Sequence, residues 1–175
     1  YVASANFSGT DRFEWNASDG DDFSESAVTL EITVNEINDA PDVAEIPALS
    51  FPEDDYLEVG LDTLVTDIDT PVERISWTIT PQEETMAKLG FRTKKQGGGY
   101  LIQDTEDDSL IIVVNNETRI AEFKATPNFN KADIPVIFIA TDDSLDSGRD
   151  TTTVTVTPVE DAPVIANATQ SLQED

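Results

Sequence analysis

The chain has 175 residues, carries 36 acidic against 10 basic side chains for a net charge of −26, and contains neither cysteine nor histidine. The missing residues exclude disulfides, thiolate metal sites and cysteine nucleophiles, together with the commonest general base and zinc ligand. The charge repels nucleic acid and anionic membranes over most of the surface, keeps the chain soluble, and attracts hard divalent cations.

No apolar run approaches the ~20 residues of a membrane helix, and the amino terminus lacks the charged-then-apolar order of a secretion signal. In chain order, the first regular element is Val28, Leu30, Ile32 and Val34 alternating with Thr29, Glu31 and Thr33, the period-two signature of a half-buried antiparallel strand. Ile75, Trp77 and Ile79 alternate with Ser76, Thr78 and Thr80 in the same way. Gln82 to Leu89 alone has a helical pattern. The segment from Thr85 to Tyr100 breaks the regular spacing, carries Lys88, Arg92, Lys94 and Lys95 ahead of Gly97-Gly98-Gly99, and is expected to be an inserted loop with a short helix, a small cationic contact surface on an anionic rod. Leu110 to Val114 and Ile134 to Ala140 are denser apolar runs that suit central strands, with Pro135 at a strand start or beside an edge. Val154 and Val156 repeat the alternation. Turn clusters separate these runs, so the chain reads as all-β, with about seven strands in a two-sheet sandwich.

The chain repeats itself. Asn6-Phe7 returns 122 positions later as Asn128-Phe129, and Asn38-Asp39-Ala40-Pro41 returns at the same offset as Glu160-Asp161-Ala162-Pro163. Between these anchors Ala17-Ser18-Asp19-Gly20 answers to Ala140-Thr141-Asp142-Asp143, and Ser50-Phe51-Pro52-Glu53-Asp54 to Ser171-Leu172-Gln173-Glu174-Asp175. The expected organisation is the second half of one unit over residues 1–40, a whole unit over 41–161, and the opening strand of a third over 162–175. The first fragment would expose a sheet edge and an apolar face, which the tail of another molecule could cover by head-to-tail self-association.

In a sandwich of this kind, the second-to-third and sixth-to-seventh strand connections lie at the end where the chain enters. Asp67-Ile68-Asp69 falls in the first connection, Asp142-Asp143 in the second, and Asn38-Asp39 in the entering linker. Carboxylates distant in sequence are therefore expected to converge, and a bound cation relieves their repulsion. Calcium fits best, because it accepts six to eight oxygen ligands in flexible geometry. A second set, Glu53, Asp54, Glu160 and Asp161, is expected at the exit, completed by the next unit.

These residues resemble the cadherin-like repeats of large bacterial surface adhesins and secreted multi-domain proteins. The likeness spans nearly the whole chain: Asn6-Phe7-Ser8-Gly9-Thr10-Asp11 with Phe13 and Trp15, then Ala17-Ser18-Asp19-Gly20, the alternating strand, and Asn38-Asp39-Ala40-Pro41. Pro52-Glu53-Asp54, Asp67-Ile68-Asp69, Ala140-Thr141-Asp142 and Asn38-Asp39 match the Pro-Glu-Asn, Asp-x-Asp, Ala-x-Asp and Asn-Asp motifs that supply interdomain calcium ligands in cadherins. The resemblance implies a Greek-key β-sandwich of cadherin or immunoglobulin-like type in a tandem array. Two positions depart from it. Thr126-Pro127-Asn128-Phe129-Asn130 stands where animal cadherins have Leu-Asp-Arg-Glu, and Glu160 stands where the earlier junction has Asn38.

The expected function is a calcium-stiffened spacer or adhesion repeat at the cell surface or outside the cell, with neighbouring repeats of the same chain as its partners and a polysaccharide or another cell's surface as ligand. The alternative is a calcium-dependent carbohydrate-binding module, with Tyr56, Phe91 and Tyr100 as sugar platforms and Trp15 and Trp77 in the core. No enzymatic activity is expected, because the acids fall in solvent-facing turns unsuited to proton donation. Asn-x-Ser/Thr triplets stand at Asn6, Asn16, Asn116 and Asn167.

Overall fold

The computed structural model describes residues 1–96, 98–104 and 108–163. The expected third unit therefore lies outside the described residues beyond Pro163, as does Asn167. The chain opens with a hairpin of β1 (Gly9–Trp15) and β2 (Val28–Val34). The remaining strands among the described residues are β3 (Asp42–Val43), β4 (Leu49–Pro52), β5 (Tyr56–Gly60), β6 (Val65–Thr66), β7 (Ser76–Pro81), β8 (Arg92–Gln96), β9 (Gly99–Gln103), β10 (Ser109–Asn115), β11 (Ile120–Ala125), β12 (Ile134–Thr141) and β13 (Ser147–Thr157), with one α-helix, α1 (Glu83–Lys88), and short 3-10 turns over Asp62–Leu64 and Val72–Arg74.

The fold is all-β. Two sheets, ordered β5-β11-β10-β9-β8 and β4-β13-β12-β7, enclose the core, and a short β3-β6 ribbon sits beside them. Among the described residues every strand pairing is antiparallel except β4 with β13, where Leu49 stands opposite Val154 and Phe51 opposite Val156. The alternating runs do what their period demands: Ile75, Trp77, Ile79, Val154 and Val156 are buried, while Ser76 and Thr78 face solvent. Phe138 of β12 joins the two layers, lying edge-on to Trp77 at 6.4 Å and 6.2 Å from Phe123 of the opposite sheet. Leu110 to Val114 and Ile134 to Ala140 form the central strands β10 and β12. Pro135 is the second residue of β12, one step beyond the first partner on β7, Pro81 opposite Val136, so its missing N–H breaks no bond to that strand.

A side chain from the opposite layer ties the sheets together at one end. Asn116, in the β10–β11 turn, accepts from the Trp77 backbone N–H at 2.6 Å and donates to the Trp77 carbonyl at 3.1 Å. That side chain is committed to the fold, which sets Asn116 apart from a free acceptor of a glycan. Replacing it with alanine strands two backbone groups and is expected to lower stability by about 1 to 3 kcal/mol, read as a fall in the denaturation midpoint at unchanged m-value.

The segment from Thr85 to Tyr100 differs from its expected form. The helix is present as α1, but Arg92–Gln96 continues as a strand that pairs with β9, Lys94 opposite Leu101. Arg92, Lys94 and Lys95 thus decorate an edge strand rather than a loop, and Lys88 ends α1. Strand β8 carries too few apolar residues to show a period, and charged side chains of this sort keep an exposed sheet edge from recruiting another chain.

The β1–β2 hairpin matches the β12–β13 hairpin in register. Phe13 pairs with Leu30 and Trp15 with Val28, as Val136 pairs with Thr152 and Phe138 with Asp150, at constant offsets of 123 on the first strand and 122 on the second. The preceding turn is also the same. Asn6 and Asn128 both take left-handed φ, 61° and 65°, and Phe7 N–H bonds to Ser4 O as Phe129 N–H does to Thr126 O. What differs is the cover. Val136, Phe138 and Phe129 are fully buried, whereas Phe7, Phe13 and Trp15 are 39%, 45% and 52% exposed. Trp15 is therefore no core residue among the described parts of the chain, in contrast to Trp77.

Candidate functional site

The entering linker is held by both connections at one end of the sandwich. In the β6–β7 connection Asp67 folds back on its own loop, its Oδ1 accepting the backbone N–H groups of Asp69 at 2.9 Å and Thr70 at 2.7 Å. This Asx turn aims the Asp69 carboxylate at the linker, where Oδ2 accepts the Asp39 N–H at 2.7 Å. In the β12–β13 connection Asp142 likewise closes its loop by accepting the Asp146 N–H at 2.9 Å. Three oxygens then surround the Asn38 amide nitrogen: Asp142 Oδ2 at 2.7 Å, Asp146 Oδ2 at 3.0 Å and the Asp39 carbonyl at 3.1 Å. Asn38 and Asp39, neighbours in the linker, thus fasten one loop each.

Further along, Asp150 accepts the Ile46 N–H at 2.7 Å and Thr152 donates to the Pro47 carbonyl at 2.9 Å, so the linker is strapped along β13 as well. A cleft of about 500 Å³ remains between Asn6 and Phe7 of the preceding segment and Ile68 and Asp69 of this end.

Of the residues expected here, Asn38, Asp39, Asp67, Asp69 and Asp142 come together. Asp143 does not. It pairs instead with Arg74 of the β6–β7 connection at 2.7 Å, an ion pair between the two loops. Asp146 is the member that sequence reasoning missed; its position closing the loop four residues after Asp142 was the available signal. At the exit, Glu53 is 3% exposed, its N–H bonded to Thr157 O and its Oε1 accepting Val159 N–H at 2.9 Å and Asn130 Nδ2 at 3.3 Å. Asp54, Glu160 and Asp161 are exposed, and among the described residues they form with Glu53 no group of three or more placed to hold a metal ion.

Among the described residues two carboxylate oxygens are buried without a hydrogen-bond partner, Asp67 Oδ2 at the entering end and Glu53 Oε2 at the exit. A buried ionised oxygen with no donor is unfavourable. Its natural complement is a cation. Donors at both ends are oxygen only, which suits a hard ion such as calcium and not zinc or copper. As the side chains stand, however, no group of three or more acids among the described residues is placed to hold a metal ion. The entering acids form two sets, Asp67 with Asp69 and Asp142 with Asp146, bridged by the linker's own donors.

The electrostatics follow from these contacts. The Asn38 amide, with the backbone N–H groups of its own loop, holds the Asp142 carboxyl below the ordinary carboxylate range despite burial. A lowered native value stabilises the fold above the ordinary carboxylate pKa of about 4 and is lost as pH falls through the native value. In chelator, acidification is therefore expected to free the linker, read as faster protease nicking around Asn38, and Asp142→Asn should flatten that dependence.

No protein-family model matches the chain, and no curated protein matches it. Among the described residues no helix is long and apolar enough to cross a membrane. Of the aromatic residues considered as sugar platforms, Phe91 packs 6.2 Å from Phe129 against the core and Tyr100 is half-buried on the inner face of β9. Tyr56, 56% exposed, alone stands free.

Proposed function

We propose that the chain is a spacer built from cadherin-like units in tandem, outside the cell, in which calcium joins each linker to the loops of the unit it enters. The observation that carries this reading is the attachment of Asn38 and Asp39 to two separate connections, β12–β13 and β6–β7, beside the unpartnered Asp67 oxygen. The matched registers of the two hairpins and the matched asparagine turns support the tandem organisation. The residues that would hold the ion are Asn38 through its carbonyl oxygen, Asp39, Asp67, Asp69, Asp142 and Asp146. Calcium supplies charge neutralisation there, and the chain's own residues supply position.

Without the ion, the acids of the two loops repel across the joint, and the linker's hydrogen bonds with the Arg74–Asp143 ion pair hold it. Extracellular modules bind calcium at roughly 0.1 to 1 mM, which suits surroundings outside the cell. The role is mechanical, with no chemistry assigned to the acids. Small-angle scattering of a chain extended to two full units should show a longer, narrower distribution of distances in calcium than in chelator; the same dimensions in both would end the proposal.

A further inference from the structure

The outer face of the five-stranded sheet carries a feature unrelated to the linker. The pairings Tyr56 with Lys124, Lys124 with Ile111, Ile111 with Leu101 and Leu101 with Lys94 set five side chains in one row across β5, β11, β10, β9 and β8. Their neighbours along the strands, Leu57, Phe123, Ile112 and Ile102, point the other way into the core, so the row faces solvent. At about 4.8 Å per strand it runs about 19 Å from Tyr56 to Lys94, with about 14 Å between the two lysines.

Charge sets this row apart. The chain has 36 acids for 10 bases, and Arg12, Arg74, Arg119 and Lys131 are each paired with an acid. Lys94 and Lys124 are exposed and make no ion pair among the described residues. Between and beside them lie apolar surfaces, the half-buried Ile111 and Leu101 and the exposed Tyr56 ring. The adjacent row holds Glu58 opposite Glu122, two like charges that Lys124 sits beside.

We infer that this row is a binding strip for a linear polysaccharide bearing widely spaced carboxylates. The lysines take the carboxylates, Tyr56 stacks on a sugar face, Ile111 and Leu101 meet the C–H faces of the rings, and the two glutamates accept hydroxyl hydrogens. A row of side chains that crosses five paired strands suits an extended polymer. The glutamate pair and the net charge of −26 oppose a densely charged polyanion such as nucleic acid. A second copy of the chain would bring the same net charge against itself. The strip works without calcium, so its failure and the failure of the calcium joint are separate results.

The test is affinity electrophoresis of the chain in gels containing sodium hyaluronate, whose uronates alternate with neutral sugars, with chelator throughout and dextran as the uncharged control. Retardation by hyaluronate and not by dextran is expected. The Lys94→Gln/Lys124→Gln double variant should weaken apparent binding about tenfold or more, Tyr56→Ala should weaken it too, and Lys124→Arg and Lys88→Gln should leave it close to the original. All four positions are exposed, and an unchanged thermal midpoint confirms that each variant folds. Absence of retardation, equal retardation by dextran, or an unaffected double variant overturns the inference. So does light scattering that shows a concentration-dependent dimer lost in the double variant, which would assign the row to a second copy.

Discussion

Raising free calcium from chelated to 10 mM is expected to stabilise the chain by about 1.4 to 2.7 kcal/mol, if the dissociation constant lies in the range of about 0.1 to 1 mM common to extracellular modules. For a unit of this size that corresponds to a rise of roughly 5 to 10 °C in the unfolding midpoint. The increment should keep growing with the logarithm of calcium concentration, because an ion bound only by the folded form acts by mass action. Magnesium at the same concentration should do less, since it holds its water and requires a tighter octahedron. Asp67→Asn is the informative variant. It keeps the Asx turn through its remaining oxygen, removes a charge beside the position of the unpartnered Oδ2, and should abolish most of the calcium response. A midpoint that ignores calcium in the unaltered chain would leave a linker held by its hydrogen bonds and the Arg74–Asp143 pair alone.

The second large effect is predicted at Gly148. A side chain there would put Cβ 1.9 Å from the Pro41 carbonyl oxygen, 3.0 Å from the Pro41 carbonyl carbon and 3.3 Å from Val43 Cγ2. Two of these neighbours are backbone atoms of the linker, which cannot swing aside as a flexible side chain does. Gly148→Ala must therefore lift the linker from β13 or bend the strand, with a loss of about 1 to 3 kcal/mol from overpacking. Because Pro41 lies two residues beyond Asp39, lifting it also draws Asn38 and Asp39 from the loops, and the calcium response should shrink in the same variant. Gly60→Ala is the matched control, for nothing stands within 4 Å of a Cβ at that glycine. Denaturant midpoints of the two variants, with and without calcium, decide the matter. Equal effects at the two positions would mean that the linker is not held where it crosses β13.

The strands that could be read in advance were those whose side chains alternate between core and water. Ile75, Trp77 and Ile79 obey period two because β7 and the residue before it face the core on one side only, whereas Leu110 to Val114 is apolar throughout although only Leu110, Ile112 and Val114 face the core. Strand β8 was invisible, since an edge is protected by lysine and arginine rather than by an apolar pattern. The parallel pairing of β4 with β13 was also hidden: it joins segments about a hundred residues apart, and nothing local records it. At the candidate site, Asp67, Asp69, Asp142 and the Asn38-Asp39 pair were legible because junction and connection were both identifiable. The side to which each loop carboxylate turns was not. Asp143 went to Arg74 and Asp146 took the inner place, because a loop has no fixed period to assign its faces. Tyr100 was misjudged as a free aromatic for a related reason, as its strand was taken to be part of a loop and its inward direction followed only from pairing.

The arrangement of β4 and β13 bears on how the unit would carry tension. The chain enters beside Gly148, at the start of β13, and leaves past Val159 and the buried Glu53, at the other end of that strand. Pulling on the two ends therefore draws β4 and β13 in opposite directions along their common axis. Because they run parallel, the hydrogen bonds from Leu49 to Pro52 are loaded together in shear instead of being unzipped one at a time. Single-molecule stretching is expected to show one abrupt rupture per unit at high force, and a proline in place of Ser50 should turn that rupture into gradual yielding.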